Sequence, residues 1–449
     1  MRQTQTGWRA VPAQLTGKAM NFKAFTRSLA SSLQSQAWQL SELQFHLEQR
    51  LPPPKRQAAA AIAENLLQAF QKPYAPARGK IAVCLESDPE AGRLFKYAQK
   101  HQTWPAQWIA PQQFRPSPSF EALPLPRLVC ETELADWLAL DLLQLTRFAD
   151  LKGLSNRTVN AFAPHYKFHI HSKKNGGLRL IEEPKPALKR LQRRILSGIL
   201  DHVPPSPQSF GFVAGRNCIQ AAARHAGEEV VACFDLQSFF PSVRAARIHG
   251  LFRCLGYPEA VARALTGLCT LKTPAQLRAR LPVDSELLAR RHLPQGAPTS
   301  PALANLCCFN LDRRLASLAR SLDANFSRYA DDLTFSGDRS IIKPLLRAVP
   351  GIAADEGFRL NPVKTRVSLS HQAQTCTGLT VNRKVNIPRR DYDRLKSAIH
   401  RLKEPDNPDR CNPLALDRLA GRIAWTETVN PAKGAKLRAR FEAALSAEH

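Results

Sequence analysis

The segment "RYADDLTFSG", residues 328–337, constrains the fold of this chain more than any other stretch. Its pattern is that of a buried β-hairpin, yet two adjacent aspartates, Asp331 and Asp332, lie at the expected turn. The flanking side chains are apolar, at Tyr329, Leu333 and Phe335. An aspartate pair often caps a surface turn, but two like charges in an apolar hairpin are costly unless they are paired or bind a cation. The hairpin therefore indicates a cation site.

A third carboxylate ends another apolar strand. In "EVVACFDLQSFFPSV", a run of β-forming residues ends at Asp235. If this strand and the hairpin are neighbours, Asp235 converges with Asp331 and Asp332, and such a cluster of oxygen ligands suits Mg²⁺. Two such ions about 4 Å apart can activate an attacking hydroxyl and stabilise a departing pyrophosphate, as in polymerases.

Three stretches in this order resemble the palm of a reverse transcriptase: "FDLQSFFPSV" its motif A, "LPQGAPTSPALANL" its motif B and "RYADDLTFSG" its motif C. The resemblance covers roughly residues 131–449. It implies an α/β (α+β) fold of the right-hand polymerase type, with fingers, a palm of antiparallel sheet plus helices, and a helical thumb. We expect a mostly helical N-terminal extension at 1–130, fingers and palm at 131–385, and a thumb that binds template-primer and RNA at 386–449.

The same resemblance assigns the catalytic residues. It implies an RNA-directed DNA polymerase in which Asp235, Asp331 and Asp332 hold two Mg²⁺ ions. Phe240, five residues after Asp235, matches the aromatic gate that excludes a 2′-hydroxyl and so selects dNTPs. Alternatively, Phe240 is one more core aromatic beside Phe239.

Further residues match positions that contact the nucleotide in this family. Gln295 and Gly296 match motif B residues beside the incoming nucleotide and template, where glycine permits close approach of the backbone. Arg179 in "GGLRLIEEP" matches the arginine that grips the triphosphate, although it also fits a solvated strand charge. Lys364 in "LNPVKTRV" matches the lysine proposed to protonate the pyrophosphate.

The wording "YADDLTFS" resembles bacterial retron reverse transcriptases more closely than viral or group II intron enzymes. "VNAFAPHY" is similar to a family element before the first motif and gives Asn160 and His165 as RNA contacts, with the histidine one residue later than usual. "TCTGLTVN" is similar to a Val-Thr-Gly tripeptide of the family, with Cys376 in place of valine. This resemblance gives Thr377 and Gly378 as further contacts to RNA or template-primer.

A retron enzyme implies particular partners. The resemblance implies a dedicated structured noncoding RNA as template, a guanosine 2′-hydroxyl of that RNA as primer, and a branched RNA–DNA hybrid, msDNA, as product. It further implies a role in anti-phage defence together with an effector or toxin protein. Another bacterial defence or diversity-generating reverse transcriptase stays open, as does a non-catalytic RNA-binding protein with a polymerase fold. The intact set of three aspartates argues against the last reading.

The charge of the chain agrees with a polyanionic partner. Lys and Arg number 64 against 37 Asp and Glu, a formal net charge of +27. In "RDYDRLKSAIHRLK" of the expected thumb, four cations can reach phosphates of a bound duplex: Arg394, Lys396, Arg401 and Lys403. An ordinary solvated basic helix would show the same pattern.

The remaining signals concern location and the N-terminal part. The ten cysteines form no CxxC pair and no secretory leader precedes them, so we expect a cytoplasmic protein with reduced thiols. No apolar run approaches the length of a membrane span. Within the extension we expect a helix at 57–71 and a short strand at 80–85, and no catalytic constellation.

Overall fold

The structure is a computed structural model. It describes residues 8–10, 21–34, 36–49, 51, 53–71, 75–101, 103–105, 112–151, 153, 165–172, 177–281, 284–404 and 407–446.

The helices and strands of these residues are numbered in chain order. The helices are α1 (Phe22–Leu33), α2 (Leu40–Glu48), α3 (Ala58–Ala69), α4 (Arg78–Ser87), α5 (Pro89–His101), α6 (Glu131–Leu138), α7 (Leu142–Phe148), α8 (Pro186–Gly198), α9 (Cys218–Ala223), α10 (Phe239–Ser242), α11 (Ala245–Cys254), α12 (Glu259–Cys269), α13 (Ala275–Arg278), α14 (Ser285–Leu288), α15 (Ser300–Cys307), α16 (Phe309–Ser321), α17 (Ile342–Asp355), α18 (Arg389–Arg401), α19 (Pro413–Val429) and α20 (Pro431–Ser446). The strands are β1 (Trp8–Ala10), β2 (Thr103–Pro105), β3 (Tyr166–Ser172), β4 (Leu178–Pro184), β5 (Val230–Asp235), β6 (Asn325–Tyr329), β7 (Asp332–Gly337), β8 (Arg366–Leu369), β9 (Thr375–Cys376) and β10 (Leu379–Thr380).

The chain divides into two compact units. The first comprises Met1–Val203 and Ala245–Pro274, and the second comprises Pro204–Arg244 and Ala275–His449. No helix among the described residues is both long and apolar enough to cross a bilayer.

The helices α1–α5 of the first unit share a hydrophobic core that runs from Phe25 to Ala98. The helix expected at 57–71 is present as α3, but the strand expected at 80–85 is wrong, because these residues belong to α4. Their apolar residues Ile81, Ala82 and Leu85 are buried at helical spacing, so packing against the other helices decides the conformation of this short apolar run.

A two-stranded hairpin and helix α8 follow in the first unit. β3 pairs with β4 in antiparallel register from Tyr166↔Pro184 to Ser172↔Leu178. α8 begins with proline at its first turn, which suits a helix start, and buries Leu188, Leu191 and Ile195. Gln192 on the buried side donates hydrogen bonds to the hydroxyl of Tyr166 and to the carbonyl of Leu268, at 3.0 and 2.9 Å. These bonds tie α8 to β3 and α12.

The second unit contains a four-stranded antiparallel sheet in the order β6-β7-β5-β8. β5 is central and nearly all buried, and its register with β7 runs from Val230↔Gly337 to Asp235↔Asp332. Stacked and edge-on aromatic rings of Phe234, Phe326 and Phe335 pack within this sheet. The mixed helix and sheet fold agrees with the polymerase fold expected from the sequence.

The C-terminal helices α18–α20 lie within residues 386–449, which were expected to be helical. They share a hydrophobic core to which Ile399, Ile423 and Leu437 contribute, and which also includes Val231 of β5. A Cβ on Gly434 would collide with the backbone of Glu427, so this glycine permits the close packing of α19 and α20.

Candidate active site

The structure brings the three aspartates to one edge of the sheet in the second unit. Asp235 is the last residue of β5, and Asp332, the first residue of β7, lies directly opposite it. Asp331 belongs to the turn, and its carbonyl accepts a hydrogen bond of 2.9 Å from the amide of Leu236. Ala330, which precedes it, has a φ of +56°, a left-handed conformation that is uncommon for residues other than glycine. The turn is therefore sharp and tied to the end of β5.

The electrostatics of this edge favour a bound cation. Asp332 keeps exposed surface, but desolvation by the surrounding protein, together with the negative charges of Asp331 and Asp235, raises its pKa to about 6. Lys364 and Arg366 act in the opposite direction but do not cancel this effect. The raised pKa means that desolvation and the neighbouring negative charges disfavour the ionised form of Asp332, and a bound cation would favour it. Carboxylate oxygens are also the ligand type that Mg²⁺ prefers, so the residues present fit such an ion.

Lys364 lies against one of these carboxylates. Its ammonium Nζ donates to Asp235 Oδ1 at 2.6 Å, and Asp235 is almost fully buried while Lys364 is half exposed. Lys364 therefore supplies part of the positive charge next to Asp235.

Within the described residues, no three His, Cys, Asp or Glu side chains already surround a common point as metal ligands.

A buried arginine supports the aspartate turn. Arg328 has no exposed surface, and its Nε and Nη2 donate to the two carboxylate oxygens of Asp312 on α16, at 2.6 and 2.7 Å. Its Nη1 donates to the carbonyl of Ala330 at 3.1 Å and to Asn305 Oδ1 on α15 at 2.9 Å. Sequence reasoning missed this network. The sequence feature that could have revealed it is an arginine within an apolar strand, because a buried cation requires an acidic partner.

Residues 206–212 run alongside the same turn. The amide of Arg328 donates to the carbonyl of Gln208, and the amide of Phe210 donates to the carbonyl of Arg328, both at 2.8 Å. Asn305 Nδ2 donates to the carbonyl of Gly211 at 2.8 Å. A Cβ on Gly211 would lie 2.6 Å from the amide nitrogen of Ala330, so only glycine allows this approach.

The predicted gate Phe240 differs in environment from its neighbour. Phe239 is buried and packs against Phe358, with ring centroids 6.0 Å apart, whereas Phe240 is only partly buried. The ring of Phe240 lies 6.2 Å from that of Phe212, which is 53% exposed and has a φ of +60°. Phe240 is thus available to a ligand, as a gate requires, and Phe239 supplies the core contact.

The motif B residues precede α15 in the second unit. Gln295 is partly buried, and Gly296 is exposed with a φ of +131°, which strongly favours glycine. The amide of Leu293 donates to the carbonyl of Val243 at 3.2 Å, which ties this turn to the segment that follows α10 and Phe240.

The remaining predicted contacts lie in several places. Arg179 is exposed on β4 of the first unit, opposite His171 in register. Asn160 lies outside the described residues. The ring of His165 lies 4.7 Å from that of Phe148, and burial, with smaller contributions from nearby cations, lowers its pKa.

Thr377 and Gly378 form the two-residue turn between β9 and β10. Both have positive φ, +50° and +80°, which suits the tight turns that join twisted strands. The hydroxyl of Thr377 donates to the carbonyl of Cys218 at 3.1 Å, and Gly378 is exposed. The turn is therefore anchored on one side and open on the other.

The four predicted thumb cations, Arg394, Lys396, Arg401 and Lys403, are all exposed. Three of them line a surface concavity of about 610 Å³ together with Arg440 on α20. Arg394 and Arg401 line a second concavity of about 840 Å³ with Arg422 on α19. Arg422 and Arg440 are cations that the sequence reasoning had not singled out.

Comparison with known proteins shows a similarity to reverse transcriptases. The family model "Reverse transcriptase (RNA-dependent DNA polymerase)" matches residues 171–387. The chain is 40% identical over 282 residues to the retron Mx65 reverse transcriptase of Myxococcus xanthus, covering 62% of this chain and 64% of that protein. It is 38% identical over 289 residues to the retron Mx162 reverse transcriptase of the same species, covering 61% and 59%. It is 33% identical over 249 residues to the retron Ec86 reverse transcriptase of Escherichia coli, covering 54% and 72%.

The residues matched by the family model include the antiparallel sheet β6-β7-β5-β8, with three aspartates at one edge. This is the fold of a polymerase palm. The chain belongs to the family of retron reverse transcriptases. It spans less than two thirds of the length of the two Myxococcus relatives. Reverse transcriptases as a family act with divalent metal ions.

Proposed function

We propose that this chain is the RNA-directed DNA polymerase of a bacterial retron. The observation that carries the proposal is the opposition of Asp235 and Asp332 across neighbouring strands, with Asp331 in the adjoining turn and a raised pKa at Asp332. Asp235, Asp331 and Asp332 would hold two Mg²⁺ ions. When bound, these ions supply activation of the attacking hydroxyl and stabilisation of the departing pyrophosphate.

The other residues of the site position and select the substrate. Phe240 forms a wall against the sugar and excludes a 2′-hydroxyl by shape. Gln295 and Gly296 lie beside the nucleotide and template, and Arg179 binds the triphosphate. Lys364, now paired with Asp235, is released from this pair when the charge of Asp235 is compensated otherwise, and its ammonium donates a proton to the leaving pyrophosphate.

The template is a dedicated structured noncoding RNA, and a guanosine 2′-hydroxyl of that RNA is the primer. Two properties support an RNA partner: the relatives are retron enzymes by their names, and the cations of α18 are exposed around two concavities. The product is the branched RNA–DNA hybrid of a retron. We further propose that the protein acts in the cytoplasm, in anti-phage defence, together with an effector protein.

The proposal is tested by the nucleic acid that co-purifies with the protein. Sequencing should give one RNA joined through a 2′-linkage to a short unique DNA, and treatment with a debranching enzyme should separate the two. Purified protein with this RNA, dNTPs and Mg²⁺ should extend the DNA. A free RNA without attached DNA, or extension from an ordinary 3′-end only, would favour another bacterial reverse transcriptase.

A further inference from the structure

Helix α8 of the first unit carries a row of cations that no proposed function has used. The helix contains no acidic residue, and the face opposite Leu188, Leu191 and Ile195 bears only cations and small or polar side chains. The cations on and beside the helix are Lys185, Lys189, Arg190, Arg193 and Arg194. Because a helix rises about 1.5 Å per residue, cations four residues apart recur roughly every 6 Å along its surface.

A basic concavity of about 310 Å³ lies on one side of this row. Lys167 of β3 joins four cations of the α8 row there: Lys185, Lys189, Arg190 and Arg193. Its acidic lining residue is Glu183, which accepts a hydrogen bond of 3.2 Å from Lys189. This bond lowers the pKa of Glu183, so the carboxylate is charged and already paired. The concavity therefore keeps a large excess of positive charge.

An apolar concavity of about 680 Å³ lies on the other side of the row. Its lining includes Leu138, Leu140, Phe148, Leu191 and Leu196, from α6, α7, α8 and the α6–α7 connection. Arg190 and Arg193 border both concavities. Arg194 also lines the apolar one, and its guanidinium lies 5.2 Å from the ring of Trp137, a contact that restrains it.

Cations beside an apolar and aromatic depression are the chemistry that recognises an unpaired nucleotide. Phosphates bind to arginine and lysine, whereas an unstacked base is received by apolar and aromatic side chains. We propose that α8 binds an unpaired segment of RNA, with its phosphates along Lys185, Lys189, Arg190 and Arg193 and one base in the apolar concavity. This inference rests on the proposed function, in which RNA is the template, and it adds a binding site in the first unit.

The test measures equilibrium binding of a fluorescently labelled oligo-uridine RNA to the full chain, without dNTPs or Mg²⁺. The logarithm of affinity falls with the logarithm of salt concentration by roughly 0.7 for each phosphate contact of a single strand. Arg190→Ala/Arg193→Ala should therefore flatten this slope by about 1.4. The control, Arg313→Ala/Arg320→Ala, removes the same charge from the exposed face of α16 in the second unit and should leave the slope unchanged.

Crosslinking of the unmodified protein provides a second measurement that needs no variant. An oligo-uridine carrying one 4-thiouridine should crosslink, on irradiation, to peptides of α6, α7 or α8. An unlabelled single strand should compete, and a blunt RNA duplex should compete far less. Equal slopes in the two double variants, absence of these crosslinks, or equal competition by the duplex would overturn the proposal. Because the assay involves no synthesis, loss of polymerase activity with binding intact would contradict the proposed function alone.

Discussion

Replacing Arg328 with methionine should both destabilise the protein and displace the turn that carries Asp331. The variant leaves Asp312 as a charge with no exposed surface and removes the donor that binds the carbonyl of Ala330. Loss of one partner from a buried ion pair costs about 3–5 kcal/mol, because the remaining charge stays in the protein interior. Urea unfolding followed by circular dichroism should show a loss of this size. The matched control is Arg313→Met, which changes an exposed arginine next to Asp312 on α16 and should alter stability little.

A double variant separates the role of Arg328 in positioning the aspartate turn from its contribution to stability. Arg328→Met/Asp312→Leu removes both charges, and replacing a buried ion pair with apolar side chains is often close to neutral for stability. Stability should therefore recover. DNA synthesis should remain lower by about 100-fold in kcat, since the carbonyl before Asp331 is no longer held and misplacement of catalytic groups by about 1 Å has effects of that order. Full activity in the stable double variant would refute this reasoning.

Three further predictions concern the surroundings of the site. Phe240→Ala should reduce the preference for dNTPs over NTPs by about tenfold or more in single-nucleotide incorporation, and an unchanged ratio would remove Phe240 from the gate role. Gly211→Ala should destabilise by roughly 1–3 kcal/mol in urea unfolding, because its Cβ would lie 2.6 Å from the amide of Ala330. His225 is buried between Ser336 and Ser327, and burial lowers its pKa to about 3. Between pH 6.5 and 3, His225 is therefore protonated in the unfolded chain but neutral in the folded one. The neutral histidine's contribution to the free energy of unfolding is complete above pH 6.5 and is lost as the pH falls toward 3, by about 2 kcal/mol at pH 5. His225→Gln should remove that part of the pH dependence of stability. Identical plots of unfolding free energy against pH for the variant and the unmodified protein would contradict this prediction.

The sequence predicted the elements that carry local signals. The apolar strand before Asp235 and the hairpin around Asp331 have strong β-patterns, and both appear where expected. The helices after residue 386 follow the same rule, because their apolar residues recur at helical spacing over several turns.

What the sequence did not predict depends on contacts between distant residues. The partners of Arg328 lie on α15 and α16, and no local pattern links Asn305 or Asp312 to the aspartate turn. The run at 80–85 is short and apolar, so its periodicity fits a strand or a helix, and only packing with the other N-terminal helices decides. The basic row of α8 was visible in the sequence, but the apolar concavity beside it forms only when α6 and α7 pack nearby.

The proposal that Asp235, Asp331 and Asp332 form one Mg²⁺-dependent polymerase site is tested most directly by a matched pair of variants. Asp331→Asn removes a negative charge from the site, and Asp338→Asn removes one from an exposed position just after β7. Incorporation of labelled dNTPs on the co-purified RNA should fall to background in the first variant at any Mg²⁺ concentration and stay at the unmodified level in the second. DNA synthesis by Asp331→Asn equal to that of Asp338→Asn would contradict the account.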